Sequence, residues 1–245
     1  MRSFVISAWL LLLATAAYVP KVNGSPGDTP LIKAVNWNDL ELVKHLLDNG
    51  ADAKATNSYG NTALMSAAVY GTNKLVELLL PKSNAKATNN GGRSALMYAA
   101  YRGRNKMVEL LLPKSDAKAT ENDGYTALMY AAKYGSYKVK LMELLLPKSD
   151  AKATTKSGYT ALMFAAKSGR DKLVELLLPK SNAKASNNDG ETALMLAARI
   201  RNVKSVELLL PKSDVKARNN DGQTALDIAK SEGYNQIVEL FQERE

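Results

Sequence analysis

Cysteine is absent from this 245-residue chain, histidine occurs once, and there are only three Phe and two Trp. Without Cys there is no disulfide framework, no thiolate nucleophile and no Cys-ligated zinc. A single His excludes His-rich metal sites and paired-His chemistry. The phosphate-binding loop, the Gly-x-Gly-x-x-Gly turn, His-Glu-x-x-His and Gly-x-Ser-x-Gly are missing as well. Long hydrophobic runs are equally scarce. The run from Phe4 to Ala17 is shorter than the roughly 18 to 20 residues that a spanning helix needs. The whole chain is 46% hydrophobic and 23% charged, an ordinary globular balance that excludes wholesale disorder.

The N-terminus stands apart. A short basic start, Met1-Arg2-Ser3, precedes that apolar run, and small residues follow at Ala14, Ala16, Ala17, Gly24 and Ser25. This order is that of a secretory signal peptide over residues 1–24, with cleavage between 17 and 24. The expected address is therefore secreted or periplasmic. A chain without thiols also crosses an oxidising compartment with nothing to mispair.

One period organises the rest. Gly60, Gly92, Gly124, Gly158, Gly190 and Gly222 recur at 32 residues, with a single step of 34 between Gly124 and Gly158. Two residues after each comes Thr or Ser, then Ala-Leu, usually Met, and in all but the last unit a pair of Ala. About eight residues later stands Val-Glu-Leu-Leu-Leu-Pro-Lys-Ser or a near copy. A fixed period of this size marks a stacked repeat protein. Asn-Asp-Gly is turn chemistry that tolerates positive φ, and the Thr or Ser that follows is a helix N-cap. Ala-Leu-Met-x-Ala-Ala predicts a short first helix with a small-residue face, closed at Gly71, Gly103, Gly135 and Gly169. The second helix should turn Leu75, Val76, Leu78 and Leu79 inward and Glu77 outward, and Pro81 should end it. Neither helix is long enough to be stable alone, so neighbouring units must bury it.

These residues resemble the ankyrin repeat, whose wording survives best in Thr29-Pro30-Leu31 and in Leu46-Leu47-Asp48-Asn49-Gly50-Ala51-Asp52. The resemblance implies an all-α repeat solenoid of stacked helix-turn-helix units with short β-hairpin-like turns. It divides the chain into an N-terminal capping repeat (25–57), five repeats (58–89, 90–121, 122–155, 156–187, 188–219) and a C-terminal capping repeat (220–245). Two extra residues in the fourth unit, around Ser136 to Lys140, are expected to lengthen the loop between its helices.

No catalytic constellation accompanies this pattern, so a non-catalytic protein without cofactor, metal or small-molecule substrate is expected. His45, aligned with Leu78 and Leu110, is expected to be a partly buried structural side chain. Glu77, Glu109, Glu143, Glu175, Glu207 and Glu239 recur once per unit and are expected on solvated faces.

In the ankyrin family, partners contact the turn tips and the exposed side of the first helix. The resemblance places Tyr59, Tyr70, Arg93, Tyr101, Arg102, Tyr125, Lys133, Tyr134, Tyr159, Lys167 and Arg199 on that surface. These positions vary between units while the core wording stays fixed, and Tyr with Arg is the composition of binding hot spots. Tyr98, Tyr130 and Phe164, one position after Met, are expected in the packing between units. The implied function is binding of another protein by a monomeric stack.

A polyanion is the alternative partner. Residues 25–245 carry 31 Lys+Arg against 24 Asp+Glu, a net charge of +7. One Lys row runs through Lys54, Lys86, Lys118, Lys152, Lys184 and Lys216, and a second through Lys82, Lys114, Lys148, Lys180 and Lys212. At about 10 Å per stacked unit, each row would be a ladder able to attract nucleic acid, an acidic glycan or an anionic membrane.

Overall fold

A computed structural model describes residues 25–134 and 139–243. The leader read from the sequence lies outside the described residues, as do Gly135, Ser136, Tyr137 and Lys138 of the lengthened unit. The described residues form fourteen α-helices of seven to nine residues, joined in pairs. The first helices of the pairs are α1 (Pro30–Asn36), α3 (Ala63–Tyr70), α5 (Ala95–Tyr101), α7 (Ala127–Tyr134), α9 (Ala161–Lys167), α11 (Ala193–Arg199) and α13 (Ala225–Ser231). The second helices are α2 (Leu40–Asp48), α4 (Asn73–Leu79), α6 (Asn105–Leu111), α8 (Val139–Leu145), α10 (Asp171–Leu177), α12 (Val203–Leu209) and α14 (Asn235–Gln242). Each first helix packs on its own second helix and on the first helices of its neighbours, and the second helices stack in turn. The result is the expected all-helical solenoid, two helical layers thick. Among the described residues no helix is long and apolar enough to cross a membrane.

The local reasons are those written in the repeat. Thr62, Ser94, Thr126, Thr160 and Thr192 accept a hydrogen bond from the backbone N–H three residues on, at 3.2–3.3 Å. Each bond satisfies one of the free donors of a helical first turn. Thr224 adds the reciprocal bond, with the Asp227 carboxylate accepting from its backbone N–H at 2.9 Å. The alanine pairs from Ala67-Ala68 to Ala197-Ala198 are buried, with at most 1% of their surface exposed. Adjacent first helices can therefore approach closely along that face. Leu64, Met65 and their equivalents fill the space between layers, with Leu75, Val76 and Leu79 supplied from the second helix.

Three expectations are corrected. Leu78 is only half-buried, because Leu75, Val76 and Leu79 already fill the inward stripe of α4. Pro81 does not stop the chain from coiling: Leu80–Lys82 continues α4 as a 3-10 turn, in which the proline sits at a first-turn position where no N–H is needed. The same turn follows α6, α10 and α12. His45 is exposed and occupies the place of Glu77, not Leu78, since Val43 and Leu47 match buried Leu75 and Leu79. Its helix therefore keeps its inward stripe without it.

Between pairs the chain makes a tight turn, closed by isolated bridges at Thr56–Thr62, Thr88–Ser94 and Ser186–Thr192. A buried or half-buried polar side chain organises each turn. The Asn57 Oδ1 accepts from the backbone N–H groups of Tyr59 and Asn61, each at 3.0 Å. Asn89, Glu121, Asn187 and Asn219 act likewise toward the residue four ahead, and Thr155 accepts from Tyr159 at 3.1 Å. Successive turns are tied by one backbone bond per step. Asn90 donates to Tyr59, Asn122 to Gly91, Lys156 to Asp123, Asn188 to Ser157 and Asn220 to Asp189, at 2.8–3.1 Å. This stitching fixes the spacing at which turn residues are presented.

Candidate partner-binding surface

The turn position fixed by each of these polar groups is Arg93, Tyr125, Tyr159 or Glu191 in units three to six. Eight residues later, at the end of the first helix, stand Tyr101, Lys133, Lys167 and Arg199. The fold brings turn and helix positions together. Lys133 Nζ donates to the Tyr125 hydroxyl at 3.0 Å, and Lys167 Nζ to the Tyr159 hydroxyl at 3.1 Å. In unit six the tyrosine is replaced by Glu191, and Arg199 pairs with its carboxylate at 2.8 Å.

Rings join these pairs into one cluster across units three to five. Tyr101 meets Tyr134 edge-on with centroids 4.9 Å apart, and Tyr130 at 6.0 Å. Tyr125 stacks on Tyr130 at 5.2 Å and on Phe164 at 5.4 Å, and Tyr159 stacks on Phe164 at 5.1 Å. Cations cover the cluster. The Lys133 ammonium lies 5.0–5.2 Å from the centres of Tyr125, Tyr134 and Phe164, and Arg93 lies 5.7 Å from Tyr130. Arg102 and Lys167 sit over Tyr101 and Tyr159 at 5.8 and 5.0 Å. Contacts of this kind hold a cation in place without neutralising it.

Electrostatics follow from the half-buried setting. Burial pushes the Tyr130 phenol up to about 12, opposed by the nearby Arg93 guanidinium and reinforced by Glu121. Burial pulls the Lys133 ammonium down, but hydrogen bonds to the Tyr125 and Tyr134 hydroxyls outweigh it and hold its pKa above the ordinary lysine value. The Glu121 carboxylate is buried beneath Arg93, 3.8 Å from its Nε. Burial lowers the Arg93 pKa as well, and Tyr130, Tyr98 and Glu121 more than restore it.

Of the residues placed here by the sequence, Arg93, Tyr101, Arg102, Tyr125, Lys133, Tyr134, Tyr159 and Lys167 form the cluster. Tyr59 and Tyr70 do not join it. They are the most exposed large hydrophobic side chains among the described residues, at 53% and 63%, and make no ring contact there. Arg199 stands at the far edge, already paired. Tyr130 and Phe164 are buried between units as expected, at 6% and 4% exposure. Sequence reasoning nevertheless missed that Tyr98 and Tyr130 also line an open cavity of about 280 Å3 with Arg93, Met97, Tyr101 and Tyr134. The signal was available: an aromatic residue follows Met in three consecutive units, where the flanking units have Ser66 and Leu196.

The rows Lys54, Lys86, Lys118, Lys152, Lys184 and Lys216, and Lys82 with its repeats, are exposed throughout. Four members of the first row are not isolated charges. Asp52, Asp116, Asp150 and Asp214 each stand two residues before a Lys and accept its backbone N–H at 2.8–3.0 Å. No group of His, Asp or Glu able to hold a metal ion occurs among the described residues.

The family model for ankyrin repeats in three copies matches in overlapping windows: residues 8–90, 31–123, 73–149, 96–189, 138–219 and 171–245. The chain belongs to the ankyrin-repeat family. Its repeats are similar to those of a fowlpox virus ankyrin repeat protein, 36% identical over 75 residues, 30% of this chain and 17% of that protein. They also resemble an ankyrin repeat protein of Acanthamoeba polyphaga mimivirus, 35% identical over 79 residues, 31% of this chain and 48% of that one. The B-cell lymphoma 3 protein homolog of Mus musculus is 41% identical over 73 residues, 30% of this chain and 16% of its own length. The chain thus spans less than half the length of these curated relatives. Ankyrin repeats are generally protein–protein interaction modules and typically non-catalytic.

Proposed function

We propose that this chain is an exported, monomeric interaction module that binds a protein partner through the aromatic and cationic face of units three to five. The observation that carries the reading is the ring cluster from Tyr101 to Tyr159, topped by cations held on tyrosine faces. Large rings and directed donors give contact area at little conformational cost, which is what hot spots are made of. A stitched stack orders its side chains before the partner arrives, so association loses little further entropy. The leader-like segment at residues 1–24 supports export. The aspartates beside the Lys54 row count against a polyanion site there, since each offsets part of the attraction.

The test is capture from extracellular or envelope extracts by the chain lacking its leader. Beside it run two variants: one with Tyr101, Arg102, Lys133 and Tyr134 changed to Ala, and one with Lys54, Lys86, Lys118, Lys152, Lys184 and Lys216 changed to Gln. The expected result is a protein retained by the parent and the Gln variant and lost by the Ala variant. Loss with the Gln variant alone, or release of acidic polymers as salt rises, would move the site to the lysine row. Export is tested by the first residue of the protein recovered from the medium or periplasm, which should lie between 18 and 25.

A further inference from the structure

Charge on the binding face is confined to a short stretch, and its spacing is set by the fold. In unit six the helix-end cation is cancelled by Glu191. In units four and five the same position holds Lys133 and Lys167, each against a tyrosine hydroxyl and ring, and neither pairs with a carboxylate among the described residues. In unit three Arg102 lies over Tyr101, also without a carboxylate among the described residues. The acids nearby are engaged or set apart: Glu121 is buried under Arg93, and Asp123 occupies the turn tip. An ammonium carries three donors, so Lys133 and Lys167 keep donors beyond those given to tyrosine. Lys133 and Lys167, at equivalent positions one unit or about 10 Å apart, therefore await acceptors, and Arg102 stands one position further along in unit three.

The rings narrow the choice further. Tyr125 is stacked with Tyr130 and Phe164 at 5.2 and 5.4 Å, with interplanar angles of 27° and 24°, and the Lys133 ammonium lies over the same ring at 5.0 Å, so its surface is largely covered. A nucleic-acid base needs a free ring face to stack on. The covered Tyr125 ring does not meet that requirement. A polyproline-II segment rises about 3.1 Å per residue with three residues per turn, so every third side chain points the same way about 9 Å on. Such segments also dock on grooves edged by aromatic rings. We propose that this face takes an acidic polyproline-II segment with a carboxylate at every third residue, one each for Arg102, Lys133 and Lys167. The cavity beside Tyr101 and Tyr134, of about 280 Å3, has room for one ring or proline of that segment. This rests on the proposed protein-binding face and specifies its partner.

The probe is a fluorescein-labelled (Glu-Pro-Pro)4 peptide, titrated by anisotropy with the chain lacking its leader in dilute buffer. Controls are (Gln-Pro-Pro)4, a peptide of the same composition with its four Glu in one block, and a dT12 oligonucleotide. The (Glu-Pro-Pro)4 peptide should bind at least about tenfold more tightly than either control peptide, since each lost pair is a charge-assisted hydrogen bond. Lys133→Met with Lys167→Met should lose that preference. Lys74→Met with Lys172→Met, on the second helices, should keep it, and matching circular dichroism spectra guard against misfolding. Equal binding of spaced and blocked peptides overturns the register, and tighter binding of dT12 overturns the partner class. Absence of binding by any acidic peptide overturns the inference altogether. A captured protein lost with the four-Ala variant would still uphold the binding face, so the two failures are distinguishable.

Discussion

The ammonium of Lys133 donates to the hydroxyl of Tyr125 at 3.0 Å while lying 5.0 Å from the centre of the same ring. One unit on, Lys167 repeats the arrangement on Tyr159, and in the next Arg199 meets Glu191 instead. One backbone geometry therefore holds a cation on a ring twice and on an acid once. Only the ring leaves the charge in play for a partner.

A double-mutant cycle measures that contact. With Lys133→Met and Tyr125→Leu, the coupling from urea unfolding should be about 0.5–1 kcal/mol in favour of the native pair. A coupling of zero would mean that the lysine stem merely fills space over the ring.

Alkaline pH should weaken the fold through the same cluster. The Tyr130 phenol is raised to about 12, so the native state retains a proton that the unfolded chain releases near pH 10. Its contribution is complete below about pH 10 and is lost as pH rises toward the folded value. Lys133, also raised, acts in the same direction, complete below about 10.4 and lost above it. Melting temperature should therefore fall steeply above about pH 10, and less steeply for Tyr130→Phe. Parallel curves for the two proteins would remove Tyr130 from the account.

Much of this was legible in the sequence because a repeat reports its own constraints. The N-cap Thr, the alanine pair and the turn glycine each recur because every unit meets the same neighbours. Tyr125 and Lys133 could be placed on one surface through the resemblance to the ankyrin repeat. Their contact could not, since it depends on how a turn residue and a helix-end residue eight apart face each other in three dimensions. Tyr130 illustrates the limit more sharply: one side of its ring packs between units while another part lines the cavity, and a pattern of buried and exposed positions assigns only one role. His45 was misplaced because the first unit's second helix was aligned one residue out, toward Leu78 instead of Glu77. Only the observed burial of Val43 and Leu47 restores the register.

The turn glycines separate backbone strain from contact between units. Gly124 has φ +84°, and a Cβ there would lie 2.9 Å from Thr155 Cα and 3.0 Å from the Thr154 carbonyl oxygen. Gly222 has φ +76° with nothing within 4 Å. Gly222→Ala should cost about 1–2 kcal/mol, the penalty of a left-handed residue. Gly124→Ala should cost about 1–3 kcal/mol more, from forced overlap with the next turn. Denaturant midpoints of the two variants make the comparison. Equal losses would show that adjacent turns slide apart without cost.

Arg170 carries the last prediction, because it links two units at the binding face. Its guanidinium donates to the carbonyls of Ala131 at 3.4 Å, Ala132 at 3.1 Å and Lys133 at 3.2 Å, in the last turn of α7. Arg104 does the same two helix pairs earlier, donating to Val69 at 3.0 Å and to Gly71. Arg170→Ala should destabilise the chain by about 1.5–3 kcal/mol, the range for hydrogen bonds to a charged group. It should also speed amide exchange in α7 while leaving α13 and α14 unchanged, because contacts in a solenoid reach only the next unit. Arg170→Lys separates two causes. If the planar fork matters, lysine recovers less than half of the loss, since one ammonium cannot span three carbonyls. If lysine recovers all of it, positive charge at the negative end of α7 is sufficient, and the carbonyl bonds add orientation without stability.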